Sequence, residues 1–255
     1  MRIGLLADLH ANDAALRAVL DHLAADGVRE IVCLGDLVGY HARMHETLAL
    51  VRERQIPSVA GNHDLMAIGR LPMDGCGRIA RGAITWTRNE LTAEEWDYLE
   101  TLPAKIRLWH GIACMHARPG NPVTRLVTPE DFRTAAERLR LDDGGLRICC
   151  LSHTYGQQAV SIVAPGATVP HLGPEVRLPR GAFTFINPGS VGRSRDGDPR
   201  AAFAVIDTSR WSVSFRRVAY DATNVRPAEV PRRQPSRALA ASVFASSRTQ
   251  RSIRV

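Results

Sequence analysis

The chain repeatedly ends a short apolar run with polar side chains, and this pattern constrains the fold more than any other feature. The runs at residues 2–7, 30–34, 56–60, 112–115 and 147–151 end, in order, at Asp8 and His10, at Asp36, at Asn62 and His63, at His116, and at His153. Each run has the length and composition of a buried β-strand. In open α/β sheets the carboxyl ends of strands meet at one crevice, so we expect these side chains to share one site.

Helical patterns separate the first three runs. Asn12 is placed to cap a helix in which Leu16, Val19, Leu20 and Leu23 fall on one face. Strand and helix alternate, which predicts a parallel sheet in an α/β protein. Further strands are predicted at 106–109, 159–163, 183–186, 201–207 and 211–218, and a helix at 129–141. Residues 66–84, 119–128 and the surroundings of His171 are predicted loops.

Composition agrees with this class. A chain of 255 residues can bury a large core, and 45% hydrophobic residues with only 5% aromatics suit packing by aliphatic side chains. Asp8 and His10 interrupt the first apolar run too early for a signal peptide, and no run is long enough to span a membrane. Five cysteines lack the spacing of a disulfide framework, so we expect reduced cysteines in a cytoplasmic protein.

The net charge of +7 comes from one end of the chain. Residues 210–255 contain ten Arg and two acidic residues, and the remainder contains 23 basic and 24 acidic residues. The hydrophobic periodicity also fades toward this end, where Pro, Arg and Ser dominate, which predicts a domain over 1–222 and a tail over 223–255. A short helix over 239–244 is one alternative for part of the tail. A basic terminus is more typical of a solvated tail than of a nucleic-acid interface, and the nucleic-acid alternative stays open.

The polar residues at the strand ends have the chemistry of metal ligands. Carboxylates, an amide oxygen and imidazoles suit Mn, Fe, Zn and similar ions. An Asp that bridges two ions would hold them about 3.5–4 Å apart, as in two-metal phosphatases and nucleases. Any one of these clusters alone is more typical of a turn or a hydrogen-bonded core residue, but five in succession indicate a metal site.

The same clusters resemble those of the calcineurin-like metallophosphoesterase superfamily, and most of all its compact bacterial branch of phosphodiesterase-like and diadenosine tetraphosphatase-like proteins. The matching stretches lie in order over residues 1–218: ADLHAN, CLGDLVGYH, AGNHD, CMHARPGNP, LSHTYG and INPGSVGRSRDGDPRAAFAVID. The resemblance implies a four-layer αββα sandwich of two mixed sheets flanked by helices. It also implies a dinuclear metal site at the strand ends.

The resemblance also implies roles for individual residues. The first metal would take Asp8 and His10, Asp36 would bridge, and the second metal would take Asn62, His116 and His153. His63 would lie beside the phosphoryl group, and Asp64 would orient its ring. The cofactors would be two divalent or trivalent ions of Mn, Fe, Zn or Ni.

Tyr155 departs from the family pattern, because a second histidine ligand of the first metal normally stands there. Three alternatives follow: its phenolate binds the first metal, it lies behind the ligands or faces substrate, or the first site is lost. Retention of Asp8, His10 and His63 favours activity, so we predict a weakened first site and an intact second site. Ala11, Ala117 and Ser152 also replace residues that are usually Gly.

The implied function is hydrolysis of a small phosphate monoester or diester, with a nucleotide as one candidate, by metal-activated water. Two alternatives remain: a non-catalytic or metal-impaired phosphate-binding scaffold, and a nuclease that uses the basic tail. His41 and Arg193 are candidate substrate-binding residues, and Arg195 beside Arg193 is placed to share a phosphate clamp unless Asp196 and Asp198 neutralise both. We expect a small phosphorylated substrate and no membrane partner, and the sequence leaves the oligomeric state open.

Overall fold

The computed structural model describes residues 1–163 and 166–228, and within them eleven strands form two sheets. The strands are β1 (Arg2–Leu6), β2 (Glu30–Cys33), β3 (Lys105–Leu108), β4 (Ile112–Met115), β5 (Ile148–Cys150), β6 (Gln157–Val163), β7 (Ala167–His171), β8 (Glu175–Arg177), β9 (Phe183–Pro188), β10 (Ala201–Asp207) and β11 (Ser212–Val218). The helices are α1 (Asp13–Ala25), α2 (Met44–Glu53), α3 (Asn62–Ala67), α4 (Arg78–Glu90), α5 (Ala93–Thr101) and α6 (Pro129–Asp142).

Both sheets are mixed. The first has the strand order β2-β1-β10-β11-β8, and the second has the order β3-β4-β5-β9-β6-β7. In the first sheet only β1 and β2 are parallel. In the second sheet β4, β5 and β9 are parallel, and the remaining neighbours are antiparallel. The parallel strands are therefore the ones that carry the polar clusters at their carboxyl ends.

Three hydrophobic cores separate four layers. Leu5 of β1 and Cys150 of β5 lie in the core between the two sheets. Leu6 points the other way, into the core beneath α1 and α2, and Cys149 points into the core beneath α6 with Phe132. Because alternate residues of a strand face opposite sides of a sheet, single strands contribute to two cores. The predicted αββα sandwich of two mixed sheets is confirmed.

The five cysteines are free, and four of them are buried. The adjacent Cys149 and Cys150 lie on opposite faces of β5, in different cores. This agrees with their interpretation as reduced core residues. Among the described residues no helix combines the length and apolar character that a membrane span requires.

Three local predictions are wrong. Residues 56–60 form no regular strand, because their only ladder pairing is one parallel bridge between Ser58 and Cys33. Residues 78–84 of the predicted loop over 66–84 belong to α4, whose polar outer face hides its periodicity. His171 ends β7, where its ring bonds the Ser161 hydroxyl at 2.8 Å.

Residues 226–228 pack onto the domain. Pro227 forms a bridge with His41, and the Ala228 amide donates to the Tyr40 carbonyl. Residues 229–255, including the alternative helix at 239–244, lie outside the described residues. The division at 222/223 therefore stays a prediction.

Candidate metal centre

Backbone hydrogen bonds join the turn after β1 to the turn after β2. The amides of Asp8 and His10 donate to the carbonyls of Gly35 and Asp36, at 3.0 and 2.9 Å. The two turns therefore behave as one unit. Gly61 approaches this unit so closely that a Cβ on it would lie 2.2 Å from the Asp36 carboxylate. A residue with a side chain would therefore not fit at the position before Asn62.

The segment 187–192 fastens the turns of the two sheets together. Asn187 donates from its side chain to the Ser152 carbonyl, beside His153. The Gly192 amide donates to the Asp8 carbonyl at 2.9 Å, and a Cβ on Gly192 would lie 1.7 Å from the Leu9 carbonyl oxygen. This turn therefore fixes the distance between the first and last polar clusters.

Most non-glycine residues with left-handed backbone lie in these turns. Among the described residues nine non-glycine residues have positive φ, and seven of them belong to the site: Asp8, His10, Ala11, Asp36, Tyr40, His153 and Tyr155. Each such residue costs about 1–3 kcal/mol, and the strain persists only where the surrounding structure enforces it. Ala11 has a φ of 59°, which explains the family's preference for Gly there.

Asp36 lies at the centre of the site. Its Oδ2 is 3.8 Å from His10 Nε2 and 3.5 Å from His116 Nε2. Two sets of three ligand atoms lie within 4.8 Å of one another, one from His10, Asp36 and His63 and one from Asp8, Asp36 and His116. Asp36 belongs to both, as a bridging ligand would. Asp8 groups with His116, whereas the resemblance pairs it with His10.

Several buried polar atoms here have no partner in the protein. Both carboxylate oxygens of Asp8 and the Oδ2 of Asp36 are buried without a hydrogen bond. His116 Nδ1 must donate to the Leu34 carbonyl at 2.8 Å, so Nε2 is an acceptor, yet it faces the Asn62 Oδ1 at 3.0 Å. Facing acceptors and unpaired carboxylates are costly unless a cation lies among them. These residues therefore fit a divalent cation.

Burial determines the protonation of these groups. Burial raises the pKa of Asp36 to about 7, and burial with the charge of Asp36 raises the pKa of Asp8. Burial lowers the pKa of His116 to about 4 and, with the charges of His116 and His153, lowers that of His63 to about 3. The imidazoles are therefore neutral at pH 7, which is the form that binds metals.

Tyr155 lies beside His10 with its side chain buried. Its hydroxyl is 2.8 Å from His10 Nε2, and the two rings are stacked with centroids 5.7 Å apart. Burial and the charges of Asp8 and Asp36 raise the pKa of the Tyr155 phenol. In the metal-free site Tyr155 is therefore a neutral phenol whose hydroxyl faces His10.

Two predicted residues contact the site without entering either ligand set. The His153 ring packs against His116 with centroids 5.2 Å apart, but its Nε2 bonds the Val123 carbonyl at 3.0 Å. The His41 Nδ1 donates to the His10 carbonyl at 2.9 Å. His41 therefore fastens the loop behind His10, and its role toward substrate stays a prediction.

The prediction that Asp64 orients the His63 ring is wrong. The Asp64 carboxylate accepts four backbone N–H groups, from Asp36, Leu37, Val38 and Gly61, at 2.8–3.2 Å. The His63 Nδ1 has no partner among the described residues. Asp64 therefore holds the turn that carries Asp36, and the His63 ring is positioned by contact with His10 and Tyr40, at centroid distances of 4.7 and 4.8 Å.

Two arginines cover the His10 side of the site. Arg193 lies over the Tyr40 ring at 4.2 Å, and Arg195 lies over the Tyr155 ring at 4.0 Å. Neighbouring acids do not neutralise them, because Asp196 pairs with Arg217, and Asp198 pairs with Arg200 and Arg217. Tyr40 was not identified from the sequence, since nothing in its spacing distinguishes it from a loop residue.

A cavity of about 410 Å³ opens beside His116. Its lining includes the apolar residues Leu65, Leu102 and Ala104 and the cationic residues Lys105, Arg118 and Arg138. It adjoins the cluster of ligands and has room for an organic group of moderate size.

Comparisons with known proteins agree with this arrangement. The family model of the calcineurin-like phosphoesterase superfamily domain matches residues 1–210. The chain is 31% identical over 226 residues to the uncharacterised protein MJ0912 of Methanocaldococcus jannaschii, covering 86% of this chain and 88% of that one.

Two crystal structures extend the comparison. A metallophosphoesterase from Sphaerobacter thermophilus is 36% identical, with a TM-score of 0.70 over 87% of this chain and 90% of that one. The hypothetical protein PH1004 of Pyrococcus horikoshii OT3, 18% identical, shares the fold with a TM-score of 0.68 over 86% of this chain and 88% of that one. Fold, ligand chemistry and family match lead to the same conclusion: the chain belongs to the calcineurin-like phosphoesterase superfamily and is a metal-dependent phosphoester hydrolase.

Proposed function

We propose that the chain hydrolyses a small phosphate monoester or diester at the cluster around Asp36, with water as the nucleophile. The observation that carries the proposal is the Asp36 Oδ2, which is buried, unpaired and located between His10 and His116. Bound divalent cations lower the pKa of water toward neutrality and offset the charge of phosphate oxygens.

Asp36 is prepared for this role by its neighbours. The His63 amide donates to Asp36 Oδ1 at 2.8 Å, which leaves Oδ2 for cations. Asp8, Asn62 and His116 supply further oxygen and nitrogen ligands on one side, and His153 lies behind His116 as a further candidate. His10 is the candidate ligand on the other side, and its availability depends on the Tyr155 hydroxyl, which lies 2.8 Å from His10 Nε2.

His63 is the candidate for contact with the reacting phosphoryl group. Its ring is neutral because burial lowers its pKa, so it has one N–H to donate. Donation to a phosphoryl oxygen or to the departing oxygen would stabilise the charge that develops there. Arg193 at the rim stays a candidate for binding the substrate.

The cavity beside His116 supports an ester with an organic group of moderate size. Its lining combines the apolar side chains of Leu65 and Leu102 with the cationic side chains of Lys105, Arg118 and Arg138. This combination suits an aromatic or nucleoside group that carries phosphate. The nuclease alternative depends on residues 229–255, which lie outside the described residues, and no contact among the others favours it.

The test uses protein loaded with Mn²⁺ and assayed with p-nitrophenyl phosphate and bis(p-nitrophenyl) phosphate. We expect activity that falls by at least about 10²-fold in Asp36→Asn and His63→Ala. His45→Ala is the matched control, because His45 lies on α2 and pairs with Glu95. Wild-type activity in both site variants would refute the proposal, and inactive wild-type protein would favour the scaffold alternative.

A further inference from the structure

The two histidines that flank Asp36 differ in how their free nitrogen is satisfied. His10 Nδ1 faces the Val38 carbonyl at 3.3 Å and must donate to it, so His10 Nε2 is an acceptor. The Tyr155 hydroxyl lies 2.8 Å away and donates its proton to that nitrogen. The lone pair that would bind a cation on the His10 side is therefore already used.

The His116 side shows the opposite arrangement. His116 Nε2 faces the Asn62 Oδ1, which is also an acceptor, and the nearby Asp8 oxygens have no donor. A cation would satisfy all of these atoms together. The His116 side of Asp36 therefore favours a cation strongly, and the His10 side favours one less.

Arg195 supplies positive charge on the weaker side. Because the Tyr155 hydroxyl gives its proton to His10, its oxygen is free to accept from Arg195 Nη2 at 3.2 Å. The same nitrogen donates to the Tyr40 hydroxyl at 2.9 Å, and the guanidinium lies over the Tyr155 ring. Arg195 has no carboxylate partner among the described residues, and it remains exposed to solvent. Its remaining N–H groups are available to a ligand.

We propose that this chain holds one cation tightly, on the His116 side, and uses the Arg195 guanidinium as the second positive charge that binds the phosphoryl oxygens on the His10 side. Tyr155 links the two parts, since it occupies His10 and positions Arg195. A planar guanidinium with free N–H groups is suited to paired contacts with phosphate oxygens. The inference rests on the proposed function, because it assigns a phosphorylated ligand to the same site.

The first measurement is the Mn²⁺ content at equilibrium, determined by elemental analysis after dialysis against low micromolar Mn²⁺. We expect about one tight ion per wild-type chain and a second in Tyr155→His, because a histidine there frees His10 Nε2 and adds a ligand. Two equally tight ions in the wild type, or no gain in Tyr155→His, would contradict the proposal.

The second measurement is the affinity of the Mn²⁺-loaded protein for inorganic phosphate, by calorimetry. Loss of one charged hydrogen-bonding group predicts a Kd roughly ten- to a hundredfold higher in Arg195→Ala, with Mn²⁺ content unchanged. Arg195→Lys keeps the charge and should recover part of the affinity. Arg200→Ala is the matched control, because Arg200 is an exposed arginine nearby that pairs with Asp198.

The outcomes separate the two proposals. Phosphate binding requires no turnover, so a wild type that binds phosphate through Arg195 yet hydrolyses neither ester would refute only the proposed function. Unchanged phosphate affinity in Arg195→Ala, or loss of affinity only together with loss of Mn²⁺, would overturn the role of Arg195.

Discussion

Replacement of Asp64 by Asn tests how the site is built. The Asp64 Oδ1 accepts from Leu37 and Val38, and its Oδ2 accepts from Asp36 and Gly61. An Asn side chain keeps one oxygen and turns an NH₂ group toward the other pair of N–H donors. Two charge-assisted hydrogen bonds are therefore lost whichever way the amide is oriented.

The magnitude follows from that count. Hydrogen bonds to a charged group contribute about 1.5–3 kcal/mol each. Burial and the charge of Asp36 raise the pKa of Asp64 to about 8. Above that pH, where the carboxylate is charged, we expect Asp64→Asn to lower the free energy of unfolding by about 3–6 kcal/mol. This is a large part of the typical 5–15 kcal/mol for a folded domain. The turn that carries Asp36 would also loosen, so Mn²⁺ binding should weaken.

Urea unfolding of metal-free protein above the raised pKa of Asp64, followed by circular dichroism, measures the change. Asp74→Asn is the control, because Asp74 is exposed, and it should stay within about 0.5 kcal/mol of wild type. An Asp64→Asn variant that unfolds like wild type but loses activity would refute the reasoning, because that result is the one expected if Asp64 served the His63 ring.

Three further predictions concern the metal, the cavity and the packing of the turns. The gain in Tm on adding Mn²⁺ should rise from pH 6 to pH 8, because the pKa of Asp36 in the metal-free protein is raised to about 7 and cation binding must expel its proton below that value. The histidines are already neutral in this pH range and do not contribute to the change. A gain in Tm that is independent of pH would contradict this reasoning. Ala104→Trp at the cavity should raise the KM for bis(p-nitrophenyl) phosphate about fivefold or more without changing Mn²⁺ content, and an unchanged KM would place the organic group elsewhere. Gly192→Ala should cost about 3 kcal/mol or more, since its Cβ would overlap the Leu9 carbonyl, whereas Gly181→Ala has open space and should be tolerated; chemical unfolding of both variants measures the difference.

The strands that carry the polar clusters were predictable because their signal is local. Four of the five predicted runs form regular strands. Asp8, His10 and His116, which follow two of these strands, group with Asp36, whereas His153 belongs to neither group. The run at 56–60 reads like a strand but pairs only once, because strand formation depends on a partner and not on composition alone. The amphipathic α4 was missed for the opposite reason, since a mostly polar helix resembles a loop in sequence.

The roles of Asp64 and Tyr155 depend on directions that a sequence does not contain. Adjacency to His63 suggested that Asp64 serves the ring, yet the reversal of the chain at Gly61 points its carboxylate at the backbone of the turn after β2. Tyr155 was recognisable as a substitution, but its choice of His10 as partner depends on a left-handed turn with a φ of 66°.

The sequence by itself determined the fold class and a set of candidate metal ligands, because apolar runs that end in carboxylates, amides and imidazoles indicate both where strands stop and which polar groups follow them. Only the tertiary structure decided which nitrogens remain free for a cation and that Arg195 lies against Tyr155. Those properties depend on hydrogen bonds between segments as far apart as 145 residues, and such bonds have distances and donors that no local pattern specifies.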